Sequence, residues 1–176
     1  MQVRTYVLIC VALLTACSAT AAESKEVKIK RALSAAPASI SAGAKVVDMD
    51  EKGNMTVLRK GGNGFTCVPG HPGVVADDAM CMDGQALTWV LDLIAQKPKP
   101  TNTQPGVLYL LAGGTDWSAT DPWATSGKVH HWTPCWLILW PFDPQSTGLS
   151  DKPKNGGTWI MWAGTPYAHL MINQKP

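Results

Sequence analysis

The side chains able to do chemistry in this chain are gathered in two stretches. Residues 63–83, NGFTCVPGHPGVVADDAMCMD, place His71 and the acidic pair Asp77–Asp78 between Cys67 and Cys81. Residues 112–132, AGGTDWSATDPWATSGKVHHW, hold Asp116, Ser118, Asp121, His130 and His131 among Trp117, Trp123 and Trp132. A nucleophilic hydrolase needs a hydroxyl or thiol, a histidine to take its proton and an acid to orient the base. Ser118 lies between Asp116 and Asp121, with His130 downstream and His71 and Asp78 in the other stretch. Those six residues are the catalytic set a periplasmic hydrolase would use. No G-x-S-x-G elbow accompanies them, and Asp and Ser in a glycine-rich loop also form turns by bonding nearby backbone. A glycosidase would need a spaced carboxylate pair, for which Asp78, Asp116, Asp121 and Asp143 are the stock.

Tryptophan opens a second kind of chemistry. Seven of the eight tryptophans fall between Trp117 and Trp162, so the second half of the chain carries a concentrated aromatic surface. Indole plates beside Asp and Asn can stack on a sugar ring or a flat ligand, or anchor a partner. Trp117, Trp123 and Trp132 lie in the loop, where cover is least assured, and are the ligand-binding set of a binding module. On a strand, Trp136, Ile138 and Trp140 share one face and are expected to pack as core. Metal chemistry has weaker support. His131 with Cys135, or Met80 and Met82 around Cys81, offer ligand types, but no H-x3-H, C-x2-C or EF-hand spacing is present. Neither a metal site nor a cofactor is expected.

Charge narrows the partners. No arginine follows Arg59 and no glutamate follows Glu51, which removes the guanidinium fork used for bidentate carboxylate and phosphate recognition. The net charge of +2 carries no signature of a nucleic-acid protein.

The chain opens on a segment that reads as an export signal over residues 1–22, with Arg4 ahead of an apolar run, Tyr6–Leu14. That run is too short to span a bilayer, which takes about 20 residues. Leu14-Thr15-Ala16-Cys17 resembles a bacterial lipobox, in which Cys17 is acylated. An ordinary signal-peptidase site near residues 21–22 is the alternative. The lipoprotein reading places the protein in the periplasm, anchored to the outer membrane, its only membrane contact being the N-terminal lipid. Export permits disulfides. Three cysteines remain after the signal, so three pairings are open. Cys67–Cys81 is preferred because the two share one loop, and closing it would stabilise by about 3 kcal/mol.

These residues need a scaffold, and residues 23–176 are of a length for one domain. Asp83–Lys97 shows helical spacing in Leu87, Val90, Leu91 and Ile94, with Asp83 as cap and Pro98 and Pro100 beyond. A short N-terminal helix is expected over Lys30–Ala36, with Glu23–Lys30 ahead of it as a tether or a first helical turn. Strands are expected at Lys45–Met49, Met55–Arg59, Gly106–Leu111, Trp136–Trp140, Thr158–Trp162 and His169–Ile172. The fold class expected is α+β: a mainly antiparallel sheet of about six short strands with one long helix.

The phrases RALSAAP at Arg31–Pro37, NGFTC at Asn63–Cys67, DDAMC at Asp77–Cys81, LAGGTD at Leu111–Asp116 and GTPYAHLM at Gly164–Met171 together resemble a family of small exported bacterial proteins, periplasmic or lipid-anchored, of unknown function. The resemblance covers nearly all of residues 23–176 and implies export and one domain, without a reaction to transfer. Members tend to carry Gly-Pro-His where this chain has Thr133-Pro134-Cys135, so a role for Cys135 is not implied. The expectation is an exported binding module that uses the loop 112–132 to hold an envelope component, a glycan or a small ligand, with the hydrolase as the competing class.

Overall fold

The computed structural model describes residues 23–175; Cys17 and the stretch 1–22, where an export signal is expected, lie outside them. Helix α1 spans Lys25–Leu33 and α2 Ala38–Ser41, followed by strands β1 (Lys45–Met49), β2 (Met55–Arg59), β3 (Thr66–Val68) and β4 (Met80–Met82). Helix α3 (Gly84–Ile94) leads into β5 (Gly106–Leu110), β6 (Gly114–Asp116), β7 (His130–Trp132) and β8 (Cys135–Leu139). The short α4 (Pro144–Thr147) precedes β9 (Thr158–Met161) and β10 (His169–Asn173). Eight strands form one mixed sheet in the order β2-β1-β3-β4-β5-β8-β10-β9, and β6 and β7 form a separate ribbon. The β1–β3 pair is parallel.

The α+β expectation of six strands and one long helix is therefore overturned. The described residues hold ten strands and four short helices, the longest of eleven residues. The four missed strands, β3, β4, β6 and β7, have three residues each, too few to show alternation in sequence. Both cysteine-bearing ends of the stretch 63–83 are strands rather than loop. Cys67 and Cys81 face each other in the β3–β4 register and are joined in a disulfide, with Cys135 a buried free thiol.

Helix α3 starts where expected, with the Asp83 carboxylate accepting from Ala86 N at 2.8 Å and from Val107 N at 2.9 Å. It stops earlier than Pro98. Gln96 turns left-handed (φ 49°), Gln96 N donates to Leu93 O and Lys97 N to Asp92 O, which closes the helix as a Schellman motif. The buried stripe is Ala86, Trp89, Val90 and Asp92, rotated from the leucine stripe read in sequence. Asp92, only 2 % exposed, accepts from Thr101 N and Oγ1 and pairs with Lys97 at 2.5 Å. Burial opposes its ionisation, but Lys97 and the Thr101 donors outweigh that and lower its pKa.

The N-terminal helix begins five residues before Lys30, because Ser24 Oγ caps Val27 N and Glu26 lies in the first turn while Lys30 and Arg31 close the last. Arg31 then ties it down through Glu23 and the carbonyl of Pro69.

Alternation along the strands sends side chains to two layers. Val46, Cys67 and Cys81, with Tyr109 against them, pack beneath α1. Val47, Val68, Met82, Leu108, Leu137, Leu139 and Met171 pack on the α3 side. Helix α1 makes its contacts with β1 to β4, so the far half of its face of the sheet is less covered. That corrects the expectation for β8: its leucines face the core, and Trp136 is 36 % exposed, stacked on Tyr109.

Candidate functional site

On the α3 side the sheet and helix do not close completely. A cavity of about 370 Å³ lies between them, the size expected of a small-molecule site. The helix supplies Trp89, Val90, Leu93 and Ile94, and the sheet supplies mainly aliphatic and methionine side chains such as Val68, Met80, Leu108, Leu137 and Met161. Helix α3 covers β4 and β5. Ala119 and Trp132 from the segment 112–132, together with Trp162, pack on the same core.

That segment is fastened at several points. Trp162 adopts a left-handed backbone (φ 55°), a conformation rare for a bulky residue. There its backbone N–H donates to Ala119 O at 2.9 Å and its indole Nε1 to Ser118 O at 2.9 Å. Tyr167 follows, its hydroxyl donating to Lys97 O beyond α3 and its ring meeting Trp123 edge-on. The β6–β7 ribbon is held to the 69–79 segment because Asp78 Oδ2 accepts from Thr115 N at 2.6 Å, and Thr115 Oγ1 accepts from Ala76 N.

The two ends of the cavity differ in chemistry. At the ribbon end lie Asp78, Thr115, Asp116 and Trp132. Burial raises the pKa of Asp116 to about 6, against backbone donors from Ser118 and Trp117, with Asp78 adding repulsion. Burial likewise raises Asp78, partly offset by the Thr115 donors. At the other end, Trp89 stacks parallel to Trp162 at 6.0 Å, and both meet the His169 ring edge-on. His169 is buried, which drops its pKa to about 4, so it is neutral. Its Nδ1 lies 3.0 Å from Tyr167 O, which places the proton there and leaves Nε2 as an acceptor. Trp89, 3 % exposed, has its indole N–H buried with no hydrogen-bond partner.

No protein-family model, curated protein or solved structure matches this chain.

Of the residues singled out in sequence, Asp78, Asp116 and Trp132 line the cavity together. The others lie elsewhere. His71 pairs with Asp77 at 2.6 Å on the surface. Ser118 Oγ accepts from Thr120 N and Asp121 N, and Asp121 accepts from Trp123 N, so these residues form local turns. His130 faces Asp116 across the β6–β7 ribbon, with its ring stacked on Trp132. Trp117 is half-buried, and Trp123 is 39 % exposed. Burial raises the Cys135 thiol to about 12, with Asp78 nearby adding to it, which makes the thiol inert at neutral pH. Among the described residues, no group of three or more His, Cys, Asp or Glu side chains is arranged to hold a metal.

Sequence reasoning did not find Trp89, Thr115, Trp162 or His169 as site residues. His169 had a readable signal: it shares a strand face with Met171, and a histidine alternating with core residues is a buried one. Trp89 and Trp162 had none, since their meeting depends on how α3 crosses the sheet.

Proposed function

We propose that this protein is an exported binding module that takes a small, largely apolar molecule into the cavity between α3 and the sheet, with the segment 112–132 as its rim. The observation that carries this reading is an apolar cavity of about 370 Å³, walled by α3 and the sheet, with a few polar side chains among its lining residues. The His169 acceptor and the Asp78–Asp116 end supply the few polar groups that orient a ligand in such sites. A small ligand suits these walls better than a glycan, which needs many polar partners. Binding is favoured over hydrolysis because the Ser118 hydroxyl is engaged in a turn and does not line the cavity with Asp78 and Asp116.

A direct test is uptake of the neutral fluorophore N-phenyl-1-naphthylamine. Saturable enhancement at one site per chain is expected. Leu110→Trp, which fills the cavity from β5, should reduce it at least about tenfold. No saturable uptake, or uptake unaffected by Leu110→Trp, would refute the reading.

Export and anchoring through Cys17 belong to the same proposal, supported by the lipobox-like Leu14-Thr15-Ala16-Cys17. Mass analysis of protein recovered from membranes should find a diacylglyceryl-modified Cys17 as the first residue. A free amino terminus near residues 22 or 23 would remove the anchor and leave a soluble exported form.

A further inference from the structure

The geometry points to a cationic amphiphile as the ligand: a protonated amine whose head sits among Asp78, Asp116 and Trp132 and whose apolar body lies under α3. This rests on the cavity being a ligand site. The first support is an electrostatic imbalance. Among the described residues neither Asp78 nor Asp116 has an ion-pair partner. Their hydrogen bonds come from Thr115, Ser118 and Trp117 donors, which leaves acceptor positions open, since two carboxylate oxygens offer about four. A half-buried pair of carboxylates without a cation is expensive, and an entering ammonium would neutralise it with charge-assisted hydrogen bonds.

The surroundings agree in sign. Asp50, Glu51 and Asp77 also line the cavity, and Lys52 and His71 are the basic residues of the adjoining surface groove, where Asp77 is paired with His71 and Asp48 with Lys28. An acidic mouth of this kind raises the local concentration of cations and repels anions. Trp132 lines the same end as the carboxylates, and an indole face attracts an ammonium more strongly once water is excluded. A bare metal ion does not fit, because apolar walls make up most of the cavity and no metal-holding group is present among the described residues.

The charged and titratable groups around Asp116 are Asp78 from the 69–79 segment, Asp121 from its own loop and His130 across the ribbon, while Asp77, His131 and Cys135 lie near Asp78. An alkylamine, like a lysine side chain, stays protonated below about pH 9. Binding should therefore weaken as pH falls through about 6, where Asp116 takes up its proton. Histidines titrate in the same range, so the dependence belongs to Asp116 only if Asp116→Asn removes it.

The experiment uses three probes with one tail: octylamine, octan-1-ol and octanoate, titrated against the protein's tryptophan fluorescence. At about pH 8 octylamine should bind at least about tenfold tighter than octan-1-ol, with octanoate weakest. Asp116→Asn should shrink the octylamine-to-octanol ratio at least about fivefold and flatten its pH dependence; Asp78→Asn gives a second reading if that variant folds poorly. Octan-1-ol or octanoate binding as tightly as octylamine overturns the cationic ligand and leaves the binding module standing. A ratio unchanged in both variants also overturns it. No binding by any of the three overturns both readings.

Discussion

Trp159→Ala should cost about 3–5 kcal/mol, toward the upper end for a large-to-small core change. Trp159 is fully buried, and its Nε1 donates to Asn173 Oδ1 at 2.7 Å. Removing the indole opens a void beside Trp132, whose ring lies 5.3 Å away. It also leaves Asn173, itself buried, without its strongest partner, which adds a desolvation penalty. Trp159→Phe should cost about half as much, because most of the volume stays while the N–H is lost. The comparison is Trp136→Ala, where a partly exposed ring stacked on Tyr109 should cost about 1–2 kcal/mol. Denaturant midpoints at constant m-value measure all three. If Trp136→Ala proves as damaging as Trp159→Ala, the assignment of the two faces of the sheet is wrong.

Replacing Cys67 and Cys81 together by alanine should lower stability by about 2–5 kcal/mol, or the melting temperature by roughly 5–15 °C. Part of the effect is in the unfolded chain, where a loop of this size is no longer closed. The rest is local. Both cysteines are fully buried in the alanine-rich cluster under α1, and β3 and β4 have only three residues each to hold their register. The serine pair should be worse than the alanine pair, since it buries two hydroxyls there. Non-reducing peptide mapping of the parent protein should join the peptides bearing Cys67 and Cys81 and leave Cys135 free. A loss below about 1 kcal/mol in the alanine pair would mean that packing alone holds the hairpin.

The two results bear on function because β3, β4 and β9 all contribute walls to the cavity through Val68, Met80 and Met161. A protein that loosens at the disulfide should also lose the docking of Asp78 against Thr115, and with it the acidic end of the site.

Local chemistry decided a good part of this molecule. Asp83 capping α3, the runs that became β1, β2, β5 and β8, and the Cys67–Cys81 pairing all rest on signals within a few residues. Such signals survive folding because a cap or a β-run is stabilised mostly by its own neighbourhood. No arginine follows Arg59, but it was the fold that left the later carboxylates without a guanidinium partner, since Arg31 bonds Glu23 and Pro69 O and Arg59 bonds the carbonyls of Ser41 and Ala44. Where each face of an element points was a different matter. The alternation in WLILW is symmetrical, with tryptophans on one side and leucines on the other, and either side could have been core. Helix α1 reaches only β1 to β4, and that sent the leucines inward and Trp136 out. The convergence of Asp78, Asp116 and Trp132 was legible only as a list of types, because a three-residue ribbon joined by an irregular loop has no period to read. Trp89, Trp162 and His169 met because the Trp89 ring on α3 reaches the turn where β9 ends and β10 begins. Such a meeting between residues distant in sequence is set by the packing of the whole sheet, and no local signal encodes it.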